Sequence, residues 1–241
     1  MNLSENMHYS YLQKSYDKVG ECTWKNNDFS EASINISRSY YNDESLLLRE
    51  PVPKNLEVYA LLSGLPFSKK ITEKLVSVQE QISKILGNSL HYWVKNNNFG
   101  LEYCVFKWPD DNFDESRVAL IKKELSFIRN KPFLFTIYGI QVNQDGCIVA
   151  RGYDENRSVF NIRDYCKKKL DFISEKQSNW AHIPIGRILE PIGTSKFIEL
   201  KSLIDKYNKF IVSDEISSMK FIHETRWYME KKSVLSKYQL I

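Results

Sequence analysis

The sequence predicts an α+β fold of two pseudo-symmetric lobes, on three observations. Short apolar strands alternate with amphipathic helices, but hairpins interrupt the alternation, which argues against a purely parallel sheet. A strand closed by proline and followed by an amphipathic helix occurs twice at a fixed offset. A hydrophobic fraction of 42% with 13% aromatic residues is enough for a real core, so wholesale disorder is not expected.

The length fits one large domain, or one domain with an appendage. Residues 1–55 differ from the rest, being rich in Tyr, Ser and Asn, with few aliphatic residues apart from Leu46–Leu48, and ending in the stiff Pro51-Val52-Pro53. This stretch reads as an extension that drapes over the main domain, closes a pocket or meets a partner, or else as a partly ordered tail. Its Tyr and Trp content argues against full disorder.

The main domain is expected over residues 56–241. Val58–Leu62 is a short apolar run ending at Gly64 and Pro66, a strand and then a turn. A helix follows, with Ile71, Leu75, Val78, Ile82 and Ile85 on one stripe. Leu90–Val94 and Leu101–Trp108 read as strands separated by an asparagine turn, the second halted by Pro109. Val118, Ile121, Leu125 and Ile128 mark a second helix. Phe133–Val142 and Cys147–Arg151 form a hairpin through Asn143-Gln144-Asp145-Gly146. Arg157–Ile173 is a helix with lysines outside, Trp180–Leu189 a strand stopped by Pro191, and Ser195–Tyr207 a helix. Strands over Phe210–Val212, Ser217–Glu224 and Val234–Leu240 close the chain.

The repeat has an offset of 80 residues: Glu102 aligns with His182, Cys104 with Pro184 and Lys107 with Arg187. Side chains of two equivalent strands can then converge on one cleft. Strand periodicity points His182 and Pro184 to one face, and likewise Glu102 and Cys104. Arg187 and Lys107 have the opposite parity and reach that cleft only if the strand ends or bulges near Gly186.

A net charge of +4 permits an anionic ligand without implying a nucleic-acid protein. The four cysteines, Cys22, Cys104, Cys147 and Cys166, form no C-x-x-C pair, so metal-ligand spacing is absent and reduced thiols are expected. No metal or cofactor is expected. The opening residues carry no apolar leader and no stretch reaches membrane-spanning length, so a cytoplasmic protein without a membrane partner is expected.

The segment WAHIPIGRIL, residues 180–189, resembles the second H-x-[TS]-x strand of the two-histidine (2H) phosphoesterases, which include the LigT proteins and cyclic nucleotide phosphodiesterases. YWVKNNNFGLEYCVFKWP stands where the first motif belongs, and the closing IVSDEISSMKFIHETRWYMEKKSVLSKYQL resembles the late strands. The likeness spans about residues 56–240. It implies a bilobal fold in which two histidines act as general base and general acid and two hydroxyl residues hold phosphate, with no metal. Histidine suits that work because its pKa lies near neutrality. Here Glu102 stands for the first histidine, Cys104 and Pro184 for the hydroxyl residues, and His182 remains.

Several readings stay open. His182 is a catalytic or ligand-contacting residue, or a relic held in a core. Glu102 replaces histidine in proton transfer, tunes His182, or is a solvated strand residue. Cys104 is a nucleophile beside His182 or a packing residue. Arg187, which binds an anion or caps the following loop, and Lys107 are, with Cys104 and Pro184, the candidate ligand contacts. His91 can replace the lost histidine only by a shifted register, and His223 reads as structural. The function expected is a divergent 2H phosphoesterase-like protein acting on or binding a small phosphorylated or nucleotide-like ligand. The alternative is an inactive binding module of the same fold. An RNA partner is a third reading, though no RNA-reading motif is present. The oligomeric state is not legible.

Overall fold

Antiparallel pairing runs through two sheets that meet across a cavity. The computed structural model describes residues 7–241; the first six residues of the expected N-terminal extension lie outside it. Strands β1 (Val58–Gly64), β3 (Gly100–Lys107), β8 (Ser218–Arg226) and β9 (Lys231–Gln239) form one sheet in the order β3-β1-β8-β9. The other comprises β2 (His91–Trp93), β4 (Phe133–Val142), β5 (Cys147–Asp154), β6 (Ile183–Ile188) and β7 (Phe210–Ile216), in the order β2-β6-β5-β4-β7. The two strands of the 80-residue repeat, β3 and β6, thus lie in different sheets.

Helices cover the outer faces because their apolar stripes require it. The helix α4 (Lys69–Leu86) starts where the Ser68 hydroxyl accepts the Ile71 N–H and ends at Gly87. Its buried residues include Ile71, Leu75, Val78, Ile82 and Leu86. Each such side chain contributes about 1.5–3 kcal/mol relative to exposure. The stripe packs on β7 and on α7 (Thr194–Lys206), which buries Phe197, Leu200 and Ile204. The helix α6 (Ser158–Lys169) lies on β3 and α5 (Arg117–Leu125) lies on α6.

The extension contains regular structure that the sequence pattern did not reveal. It forms α1 (Met7–Thr23), α2 (Glu31–Arg38) and α3 (Asp43–Leu47). Tyr9, Leu12, Tyr16, Gly20 and Thr23 are the buried residues of α1, a helical stripe made largely without aliphatic residues. That stripe packs on β4 and β5. Asp17 Oδ1 lies 2.7 Å from Arg151 Nη1, and the Thr23 hydroxyl donates to the Val142 carbonyl at 2.8 Å.

One boundary matters for the site. The sequence places His182 within a strand, whereas β6 begins at Ile183. The ladder stops there because the Tyr16 hydroxyl takes the backbone of Gly152, donating to its carbonyl at 3.1 Å and accepting its N–H at 3.3 Å. Gly152 also has to be glycine, since a Cβ there would lie 1.9 Å from the Ala181 carbonyl oxygen and 2.2 Å from Phe135 Cζ. Gly152→Ala is expected to cost at least about 1–3 kcal/mol, measured by urea unfolding. A variant as stable as the parent would show that the 181–182 segment does not press on β5.

Candidate functional site

The cavity between the sheets has a volume of about 410 Å³. Val58, Ala60 and Leu62 of β1 form its apolar floor. Two bulges decide which charged residues join them. On β3, Leu61 pairs with Cys104 but Leu62 pairs with Glu102, so Tyr103 is the extra residue. Glu102 therefore shares the face of Leu62, while Cys104 shares the face of Leu61 and enters the core. On β6, Val149 pairs with Pro184 but Ile148 pairs with Gly186, so Ile185 is extra. That bulge brings both Pro184 and Arg187 to the cavity.

Glu102 and His182, the aligned pair, line the same cavity. Both are half-buried. Burial pushes the Glu102 carboxyl up to about 7, against the opposing pull of the Arg163 guanidinium. Burial pushes the His182 imidazole down to about 4, and Arg163 adds to that fall. Between those values both groups are uncharged, one an acid and the other a base. The His182 ring meets Trp180 edge to face at 5.5 Å.

Arg187 is 8% exposed. Its Nε donates to the Tyr228 hydroxyl, and its Nη1 donates to Ser37 Oγ at 2.5 Å and Asp145 Oδ2 at 2.9 Å. Its guanidinium carbon lies 5.0 Å from the centre of the Tyr40 ring. These partners occupy Nε and Nη1, leaving Nη2 outside the set. Ser37 and Tyr40 come from the N-terminal stretch: Ser37 of α2 braces Arg187, and Tyr40, just after that helix, lines the cavity.

Other expected residues are not in the cleft. Cys104 is a correction to the parity argument. The β3 bulge turns its thiol towards Cys166, and this neighbour together with burial raises it well above the usual thiol range. A thiol so held is no nucleophile for the cleft. Lys107 is not at the cavity either. A second irregularity between Val105 and Lys107 places it beside Tyr59, and its Nζ lies 3.1 Å from Glu57 Oε2. The 80-residue equivalence therefore holds for the first pair alone, because the bulges fall at different places in β3 and β6. His91 lies on β2, opposite Ile188, with its Nδ1 2.6 Å from the Ser89 carbonyl. His223 stacks on Tyr59 at 4.2 Å and lies 3.0 Å from Glu57 Oε1.

The cavity also contains residues that sequence reasoning missed. Glu224 of β8 pairs with Val58 and is 2% exposed. Burial pushes its carboxyl up to about 8, although it accepts the Met229 N–H at 2.7 Å. Its signal was available: alternation in β8 puts it on the face of Ile222, a buried one. Trp227, Tyr228 and Met229 form a wall at the β8–β9 turn. Tyr228 and Met229 both have φ near +58°, an arrangement that costs roughly 1–3 kcal/mol for each residue with a side chain. Lys176, Gln177 and Ser178 reach the cavity from the segment before β6. Gln177 grips the β3 edge, exchanging hydrogen bonds with the N–H and carbonyl of Val105 at 3.0 and 2.6 Å. Among the described residues, no cluster suited to a metal ion is found, and no helix is long and apolar enough to cross a membrane.

No protein-family model matches the sequence, and no curated protein matches it either. Solved structures do match. LigT of E. coli in complex with phosphate superposes with a TM-score of 0.53 at 11% identity, covering 78% of this chain and 99% of that one. TT0787 of Thermus thermophilus gives 0.53 at 12%, covering 76% and 97%. The protein ATU0111 of Agrobacterium tumefaciens, described as of unknown function, gives 0.56 at 12%, covering 92% and 97%. At these identities the likeness is one of fold. The chain has the LigT-like α+β fold that the order of its elements led one to expect.

The buried carboxyls give stability a pH dependence. Glu224 titrates at about 8 in the folded chain against 4.5 when free. Its folded form binds the extra proton, so the stability present below about 4.5 is lost as pH rises through about 8. His182 acts the other way: its contribution is present above about 6.5 and lost as pH falls through about 4. Glu224→Gln is expected to flatten the decline between about pH 4.5 and 8 by up to about 1.4 kcal/mol per pH unit, followed by urea unfolding at several pH values. Parallel curves for parent and variant would contradict the raised carboxyl.

Proposed function

We propose that the cleft takes a small phosphorylated or nucleotide-like ligand and acts on it as a divergent, metal-independent phosphoesterase. The observation that carries this reading is the meeting of Glu102 and His182 in one cavity with opposite displacements of their pKa values. Pairs of groups whose environments drive their pKa values apart are suited to acid and base roles. The fold likeness supports the ligand class: LigT of E. coli has been solved with phosphate, 3′-AMP, ATP and NADP+.

In the proposed reaction, neutral His182 accepts a proton from the attacking water as its oxygen bonds to phosphorus. Protonated Glu102 gives its proton to the departing oxygen as the bond from phosphorus to that oxygen breaks. His182 then holds the extra proton and Glu102 has lost one, and exchange with solvent restores both. The Nη2 group of Arg187, supported by Ser37, Asp145 and Tyr228, is a donor for the phosphate oxygens that the resemblance assigns to hydroxyl residues. Pro184 cannot supply such a donor, and this favours a second reading, a binding module without turnover.

The test uses 2′,3′-cyclic nucleotides for turnover and 3′-AMP for calorimetric binding. The parent is expected to hydrolyse a cyclic nucleotide with a bell-shaped profile bounded near pH 4 and 7, the limbs following His182 and Glu102. His182→Ala and Glu102→Gln are each expected to lower the rate by at least about 100-fold. Binding of 3′-AMP without turnover would select the binding module. The absence of both turnover and binding would sink both readings.

A further inference from the structure

Arg163 touches both halves of the cleft from behind. It sits on α6 between the buried residues Val159, Ile162 and Cys166, and is 2% exposed. Its Nε donates to the Tyr103 carbonyl at 2.7 Å, and its Nη2 donates to the carbonyls of Glu102 at 3.1 Å and Trp180 at 3.2 Å. Two of these acceptors belong to the bulge residue Tyr103 and its neighbour Glu102, and the third lies two residues before His182. A guanidinium is planar and presents its donors in a fixed fork, so it holds acceptors on separate segments in a set geometry.

We propose that Arg163 is a positioning residue that ties the Glu102 segment to the His182 segment and fixes how the two side chains stand across the cleft. The proposal rests on the reading of the cleft given above, but its first readout needs no ligand. Stability alone does not account for the residue. Its hydrogen bonds among the described residues go to carbonyls, and its Nη1 is buried without a partner. A buried guanidinium with no carboxylate among its hydrogen-bond partners and one nitrogen unpaired carries a desolvation cost that its three carbonyl bonds have to offset. The charged and titratable groups around it are Glu102 and Cys104 on β3, Asp154 on β5 and Asp164 on α6, together with His182. Its charge favours the neutral imidazole and opposes the neutral carboxyl, so removing it should move both groups in the same direction, upwards.

The experiment compares Arg163→Met and Arg163→Lys with the parent by NMR. The His182 ring signal is identified by its loss in His182→Ala. The amide signals of Tyr103, Cys104 and Ala181 report the peptide groups whose carbonyls Arg163 grips. In Arg163→Met the amides are expected to shift and His182 to titrate about one pH unit higher. In Arg163→Lys the charge remains but the fork is lost, so the amides shift while the titration midpoint stays near that of the parent. Unchanged amides in Arg163→Lys overturn the positioning role, and an unchanged midpoint in folded Arg163→Met overturns the effect of its charge on His182. Should the methionine variant not fold, the lysine variant decides. Absence of 3′-AMP binding by the parent would count against the ligand reading, whereas the titration and amide readouts still decide the role of Arg163.

Discussion

A strand shows alternate residues to each face, and an inserted residue changes which ones those are. The cleft of this protein depends on that constraint twice. The bulge at Tyr103 keeps Glu102 on the floor and sends Cys104 into the core. The bulge at Ile185 lets Pro184 and Arg187 share a face despite their odd spacing. Without these two irregularities, β3 and β6 would present the cavity with different chemistry. The carbonyls gripped by Arg163 include that of Tyr103 itself, so the same guanidinium that lies behind the cleft also braces one of its bulges.

Desolvation then sets the character of the cleft. Two carboxyls, Glu102 and Glu224, and one imidazole, His182, all have the neutral form favoured by burial. The buried positive charge of the cleft is Arg187, braced by Asp145, Ser37 and Tyr228, with Lys176 adding a second, exposed one. An anion entering this space meets fewer fixed negative charges than the formal count of carboxylates suggests. A glutamate in place of histidine is thus less hostile to phosphate than it looks in the sequence.

The element order was legible because apolar periodicity and proline stops are local signals. The stripe from Ile71 to Ile82, the hairpin around Gly146 and the Pro109 and Pro191 stops all lead to elements found in the structure. The first helix was missed because its buried stripe is built on Tyr9, Tyr16, Gly20 and Thr23 with Leu12 its one aliphatic member, so aliphatic periodicity does not mark it. Among the site residues, Glu102 and His182 came from the repeat, and Arg187 was conditional on a bulge near Gly186. The positions of Cys104 and Lys107 were misread because bulges obey packing between strands, which no window of sequence contains. Glu224 and Arg163 hid in apolar patterns, each a charged residue on a buried face, and that mismatch is the signal that would have found them.

The central claim is that the cleft holds Glu102 and His182 neutral together. Site-resolved NMR titration of the parent protein, following the Glu102 carboxyl carbon and the His182 ring, tests it directly. Glu102 is expected to show a midpoint near 7 and His182 a midpoint near 4, so that between them both groups are uncharged. Midpoints at the ordinary values of about 4.3 and 6.5 would leave both groups charged over much of the same interval, and would contradict it.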